Sequence, residues 1–428
     1  MRGPELDPEA PFDPGAVHAV SLSNGLRLRV LAERGWPTVS YQTFFQVGSR
    51  DERPGITGIS HLFEHMMFNG AARYGPKEFD RVLEGRGGHS NAFTSTDLTV
   101  YHDDFAADAL EVVADLESDR MESLRIDDAV LEQERAVVKE ERRLRTDDSA
   151  FGLMEEQLEA LVFLAHPYRW PVVGWMADIE RITRADCEAF FRSAYAPSNA
   201  AVYLVGDVDP DRALQLLERR YGHLPARPPL ARTPGDEPEQ RGPRQAIIGF
   251  PAEAPAILVG WRGPAARSPD SLALDLVQAC LAIGEASRLR RRMIHGGGAV
   301  SVNASWGWRI DPGVFMVFAE LPPGGRADRA ERMILEEVAR LADRPVAGAE
   351  LRRARALLRS ALLHELGTHH GLAQALGQAE ALLGDWREAA RALGRYEALG
   401  PADLRRAARA WLDPARRSTV ILDPREAR

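Results

Sequence analysis

Apolar and polar positions change rhythm several times along this 428-residue chain. Alternation with period two predicts strands at 26–31, after an Asn24-Gly25 turn, and at 39–47. A polar loop over 48–55 leads into a helix expected at about 56–69, which Asn69-Gly70 should stop. A short helix at 76–85 and the glycines of 85–88 precede a hairpin, with strands near 89–94 and 98–101. Helical spacing of apolar residues then marks 105–121, 127–145 and 151–164. A Pro-punctuated loop through His166-Pro167 and Pro171 follows, then a helix at 183–194, a strand at 200–206 and a helix at 210–220.

Residues 224–243 break this pattern. They hold six prolines and many charges, with little that could be buried, and read as a linker. Beyond them the order of elements starts again: a strand at 257–262, a hairpin at 299–307 and 313–321, and helices at 327–342 and 347–366. Each echoes an element of the first half at an offset of roughly 215–220 residues. The expected fold is α+β: two domains of one plan, each a mostly antiparallel sheet packed with helices on one face. Their bounds are 16–223 and 244–428, joined by the Pro-rich linker, with a disordered N-terminal extension over 1–15.

Composition narrows the function. A net charge of −9 offers no basic footprint for nucleic acid, and no stretch reaches the ~18 consecutive apolar residues of a membrane span. Neither nucleic acid nor membrane is therefore an expected partner. The N-terminus lacks the apolar run of a secretory signal. Cys187 and Cys280 are too few for a disulfide framework and suit a reducing compartment, so the cytoplasm is the expected location.

The chemistry concentrates in Gly58-Ile59-Ser60-His61-Leu62-Phe63-Glu64-His65-Met66-Met67-Phe68. On a helix, residues four apart lie ~40° apart, so His61 and His65 share a face and Glu64 lies on the same side. Two neutral imidazoles can hold two corners of a tetrahedral Zn²⁺, and a carboxylate beside it can take a proton from bound water. The order His-x-x-Glu-His is the inverzincin pattern. A third, anionic ligand must come from elsewhere. The helix at 127–145 offers Glu132, Glu134, Glu140 and Glu141, with Glu134 and Glu141 seven apart on one face; Val137 and Val138 suggest that part of it is buried. A second His-rich stretch, His364-Glu365-Leu366-Gly367-Thr368-His369-His370, has spacings of five and six and reads as polar residues at a helix end.

The sequence resembles the pitrilysin/insulinase zinc peptidases and their relative, the mitochondrial processing peptidase beta subunit. The resemblance covers most of residues 20–225. It rests on the motif through Asn69-Gly70, on Asn91-Ala92-Phe93-Thr94-Ser95-Thr96-Asp97 and on Glu134-Arg135-Ala136-Val137-Val138-Lys139-Glu140-Glu141. His166-Pro167-Tyr168, Gly174-Trp175, Asn199 and Val205-Gly206-Asp207-Val208 extend it. It implies a zinc endopeptidase with one Zn²⁺ per chain, held by His61, His65 and Glu141, with Glu140 the fallback ligand. It further implies Glu64 as general base, Glu134 as an accessory acid that orients the site, and Phe68, Asn91 and Ala92 along the cleft. The edge strand at 90–94 would bind the peptide substrate by strand addition.

One departure stands out. The family's second domain normally supplies an Arg and a Tyr seven apart, which hold the substrate and its oxyanion. Here those positions fall on Met293 and Val300, with Arg292 one residue off and His295 nearby. Short members of the family face each other as two chains, some with zinc on one subunit and the Arg/Tyr pair on the other. The expectation is therefore the zinc-bearing subunit of a heterodimer with a homologous non-zinc partner, a homodimer being the lesser alternative. Two other readings compete: a non-catalytic peptide-binding or assembly subunit, and a zinc-dependent esterase or amidase.

Overall fold

Six strands build the first sheet: β1 (Val17–Ser21), β2 (Arg27–Ala32), β3 (Thr38–Phe45), β4 (His89–Thr94), β5 (Thr99–Ala106) and β6 (Ala200–Gly206). Their order is β1-β2-β6-β3-β5-β4. Only the β2–β6 pair is parallel. The second sheet has β7 (Arg244–Phe250), β8 (Ala256–Arg262), β9 (Ser301–Trp306), β10 (Val314–Glu320) and β11 (Ser418–Pro424), in the order β7-β11-β8-β10-β9. Here too one pair, β7–β11, is parallel. Replace β2, β6, β3, β5 and β4 by β7, β11, β8, β10 and β9, and the two orders coincide. The chain, seen here in a computed structural model, is described over residues 11–228, 230, 232 and 236–424.

The helices are α1 (Ile59–Met66), α2 (Glu78–Glu84), α3 (Leu110–Ser123), α4 (Asp128–Arg142), α5 (Ala150–Val162), α6 (Met176–Ile179), α7 (Arg184–Ala194) and α8 (Pro210–Tyr221). The later part adds α9 (Asp270–Leu281), α10 (Ala327–Asp343), α11 (Gly348–Leu366), α12 (His369–Gln378), α13 (Glu388–Ala398) and α14 (Pro401–Trp411). The expected α+β plan is the one observed, in two units. Their composition is discontinuous: one holds residues 1–142, 170–234 and 364–390, the other 143–169, 235–363 and 391–428.

Strand alternation explains the cores. On the first sheet Val39, Tyr41, Tyr101, Val202 and Leu204 face α1, α3 and α8. Their neighbours Phe44, Val100, Ala201, Tyr203 and Val205 face the other way, against Leu372, Ala373 and Leu376 of α12. β6 is thus buried along its whole length and reads as an unbroken apolar run. On the second sheet Ile257, Val259, Trp261, Phe315 and Val317 meet α9, α10 and α14. Leu258, Val314, Val420 and Leu422 meet Met154, Leu158 and Val162 of α5.

The expectation of helices on one face is corrected: each sheet carries helices on both faces, and its second cover comes from the other half of the sequence, where no local pattern reveals it. Small residues make room for it. A Cβ on Gly377 of α12 would lie 2.2 Å from the Phe44 ring, and one on Gly260 of β8 would lie 2.7 Å from Leu158 of α5. The linker expected at 224–243 is partly outside the described residues, as are the first ten of the extension expected over 1–15. Past those ten, Phe12 packs on the α12 core. Cys187 and Cys280 are buried and unbridged.

In chain order α9 takes the place of α1, but its character differs. It buries Leu274, Leu276, Val277, Cys280 and Leu281, and among them Asp275 accepts from Tyr396 Oη at 2.7 Å and Trp308 Nε1 at 3.2 Å. Burial lifts the Asp275 carboxyl to about 7 against the pull of those two donors. The folded chain thus keeps a proton that the unfolded chain releases near pH 4, and stability falls as pH rises from there to about 7. Replacing Asp275 by Asn should flatten this slope, removing about 3–4 kcal/mol of pH dependence in urea melts across that window.

Candidate metal centre

The motif helix is short and held at its start. Gly58 caps it with φ +89°, and a Cβ there would meet the Val173 carbonyl oxygen at 2.4 Å. Gly174 faces it with φ +81°; its Cβ would meet the Thr57 carbonyl oxygen at 2.3 Å. The two backbones touch because neither residue has a side chain. The first N–H groups of the helix have no intrahelical acceptor. Glu52 supplies one, accepting from Gly58 N and Ser60 N at 2.8 Å each. Burial pushes its carboxyl up to about 8, although the two donors pull the other way. Asp178 holds the preceding loop, accepting from Gly55 N at 3.0 Å and Thr57 Oγ1 at 2.7 Å. Ile59, Leu62, Phe63 and Met66 seat the helix on the core, with the Phe63 ring among Phe190, Phe191 and Tyr195. The helix is shorter than the 56–69 expected: the chain leaves it after Met66, and the Asn69 amide donates to the His65 carbonyl at 3.3 Å.

α4 buries Leu131, Glu134, Arg135, Val138 and Arg142. Val137, which suggested burial from the sequence, is 45% exposed; only Val138 is in the core. Arg135 is anchored to the carbonyls of Ile179 and Ile182, and Arg142 Nη1 donates to the Gly174 carbonyl at 2.7 Å. The last of these ties the end of α4 to the loop against which α1 starts.

That tie brings the predicted ligands together. Glu141 Oε2 lies 3.4 Å from His61 Nε2 and 3.2 Å from His65 Nε2, and the three ligand atoms fall within 4.8 Å of one another. A tetrahedral zinc with bonds of 2.0–2.1 Å sets neighbouring donors about 3.3 Å apart, so this set fits the ion. Glu134 Oε2 is 3.6 Å from His65 Nδ1, the ring nitrogen turned away from Glu141. A carboxylate there fixes the ring and leaves Nε2 as the ligand. Burial opposes charge on His65, yet its bonds to Glu134 and Glu141 raise it to about 9. The His65 bond in turn lowers Glu134. Glu64 is half-buried, and Glu140 is exposed while its neighbour Glu141 is turned inward.

Of the predicted cleft residues, Phe68 is half-buried against Phe79 and Tyr101 with the Arg120 guanidinium 5.6 Å from its ring. Ala92 pairs with Tyr101 and packs toward the α1 core, whereas Asn91 pairs with His102 on the opposite face. Asn91 Oδ1 accepts from Ala92 N at 2.8 Å. Among the described residues β4 pairs with β5 alone, which leaves its outer edge open beside α1. In the other unit Met293 is fully buried and Val300 is 58% exposed. Arg292 is engaged by Glu336 and Glu337, and His295 stands 3.8 Å from Glu285.

Glu52, Asp178 and Arg142 were missed from the sequence. A capping Ser or Asp beside the helix would have been legible; a carboxylate reaching back from a loop six residues upstream leaves no short pattern.

Two repeated α+β units, with a His-His-Glu ligand set on the first, define a metallopeptidase-like protein. Residues 29–172 match the model for insulinase (peptidase family M16), and 181–358 match that for the peptidase M16 inactive domain. The zinc protease PqqE of Helicobacter pylori is 32% identical over 340 residues, covering 78% of this chain and 76% of that one. A probable mitochondrial-processing peptidase subunit beta of Arabidopsis thaliana is 26% identical, covering 92% and 76%. The solved structure of a protease from Helicobacter pylori superposes with a TM-score of 0.92 at 27% identity, covering 95% and 99%. The chain belongs to the M16 (insulinase) family.

The Glu52 cap gives a test of how α1 is held. Glu52→Ala should cost about 1–3 kcal/mol in urea unfolding, because two buried N–H groups lose their acceptor. It should also weaken zinc binding in a competition titration, since both histidines ride on that helix; Glu52→Gln, which keeps one acceptor oxygen, should recover part of both losses.

Proposed function

We propose that this chain is the zinc-bearing subunit of a cytoplasmic endopeptidase that cuts peptides or extended segments. The observation that carries the reading is the convergence of His61, His65 and Glu141 at 3.2–3.4 Å from two separate helices. His61, His65 and Glu141 would hold a Zn²⁺ that would act as a Lewis acid for the scissile carbonyl and acidify a water. Glu64, one position before His65, takes the water's proton and hands it to the leaving amide nitrogen. Glu134 keeps the His65 ring in place. A substrate strand pairs with the open edge of β4, which presents main-chain groups indifferent to side-chain identity.

The second half offers no side-chain oxyanion donor at the expected positions: Met293 is core, the Val300 side chain has no polar atom, and Arg292 is engaged by two glutamates. We therefore assign the Arg/Tyr pair to a homologous partner chain. Placement in the cytoplasm agrees with two unbridged cysteines.

Glu64→Gln should retain zinc but lose about 10²–10⁴ in turnover of an extended fluorogenic peptide, whereas Glu141→Ala should lose the metal as well. Wild-type turnover by Glu64→Gln would remove Glu64 as the base. Wild-type zinc with no turnover in any pairing would favour a non-catalytic peptide-binding subunit.

The partner is tested separately. The purified zinc-loaded chain should be at least about 10²-fold less active alone than when mixed with a homologue carrying the Arg/Tyr pair. Full activity as a monomer or homodimer would overturn the heterodimer.

A further inference from the structure

The face of the first sheet that α12 covers is apolar at Phe44, Val100 and Tyr203 but turns polar toward one end. There Gln42 of β3 stands opposite His102 of β5, Ser40 opposite Asp104, and His89 of β4 opposite Asp104 from the other side. His370, in the first turn of α12, comes down onto this patch. Its Nδ1 is 2.9 Å from Asp104 Oδ2, and its ring centroid is 4.7 Å from that of His102. One ligand atom each from His102, Asp104 and His370 falls within 4.8 Å of the others.

Packing alone does not explain this grouping. The His370–Asp104 pair satisfies two of the three side chains, but His102 Nδ1 is buried with no hydrogen-bond partner, as is the nearby Gln42 Oε1. A divalent cation uses all three donors at once, and two imidazoles with one carboxylate are the ligand chemistry of Zn²⁺ and its neighbours. A further ligand is within reach: His89 Nδ1 is 4.0 Å from Asp104 Oδ2 on a side chain 66% exposed. Access is provided by a cavity of about 710 Å³, lined among others by Asp104, His370, His369, Phe12 and Trp36.

We propose that His102, Asp104 and His370 form a second site for a divalent transition-metal ion, distinct from that of His61, His65 and Glu141. Its ligands come from β5 and from α12, segments more than 250 residues apart in the sequence. A bound ion therefore staples α12 to the sheet, a structural rather than catalytic task. The inference does not depend on the peptidase reading.

The experiment starts from full-length chain stripped with chelator and reloaded with Zn²⁺. Metal bound after gel filtration should be two equivalents for the wild type and one for Glu141→Ala. It should be one for the His102→Ala, His370→Ala double variant and none when the three changes are combined. Because Glu141→Ala leaves the second site untouched, added Zn²⁺ should still raise its melting midpoint, increasingly with concentration. Co²⁺ in that variant should give the visible absorption of a nitrogen-ligated site. Should the double variant fail to fold, Asp104→Asn on the Glu141→Ala background replaces it and should abolish the shift. No metal and no zinc-dependent shift in Glu141→Ala would overturn the proposal, as would a remaining equivalent that survives loss of His102 and His370 or of Asp104.

Discussion

Two backbones touch at Gly58 and Gly174, and the geometry of the metal centre follows from that contact. A side chain on either residue would collide with a carbonyl oxygen of the other strand at 2.3–2.4 Å, so the approach exists only between glycines. The Gly174 carbonyl is also the acceptor of Arg142, the residue after Glu141. One chain of contacts thus runs from the start of α1, through the loop, to the end of α4. Two histidines at one end and a carboxylate at the other are brought to ligand distance along that chain of contacts.

The electrostatics agree with that order of cause. Glu134, Glu141 and Glu64 gather about two imidazoles in a half-buried site, an arrangement that repels itself without a cation. Without an ion, the proton on His65 meets part of that demand, which is why its pKa climbs against desolvation. Zinc and this proton compete for the same nitrogen. Glu134 acts through the other ring nitrogen and so favours whichever cation is present.

Much of this was legible beforehand, for physical reasons. His61, Glu64 and His65 are neighbours on one helix, and helical spacing fixes their relation without tertiary information. Glu141 could be named because an anionic ligand was needed and a family pattern gave its spacing; residue reading alone left four glutamates open. The repeat was visible because each half repeats the same sequence of periods. What could not be read depends on contacts distant in sequence. β1, β7 and β11 were missed, β1 and β7 being edge elements flanked by Pro or Gly segments, and so was the crossing of α5 and α12 from one half of the sequence to the sheet of the other. His370 looked like a polar helix end by its spacing to His364 and His369; its relevant neighbours are on β5, and no periodicity links residue 370 to residue 102.

The repeat also shows why only one half carries the metal set. α1 and α9 hold equivalent places in the order of elements, but α1 is one short helix whose apolar stripe, Ile59, Leu62, Phe63 and Met66, leaves a polar face toward α4. α9 is longer and apolar nearly all round, and the carboxyl in its middle, Asp275, is kept protonated toward neutral pH by burial, against the pull of Tyr396 and Trp308. A helix with no face to spare cannot hold an ion. The same logic reaches the segment after it. Met293 points into that core, and Arg292, the nearest cation, neutralises glutamates of α10. Met293 is spent on packing and Val300 carries no polar side-chain atom, so neither position that would otherwise serve a substrate offers it a donor.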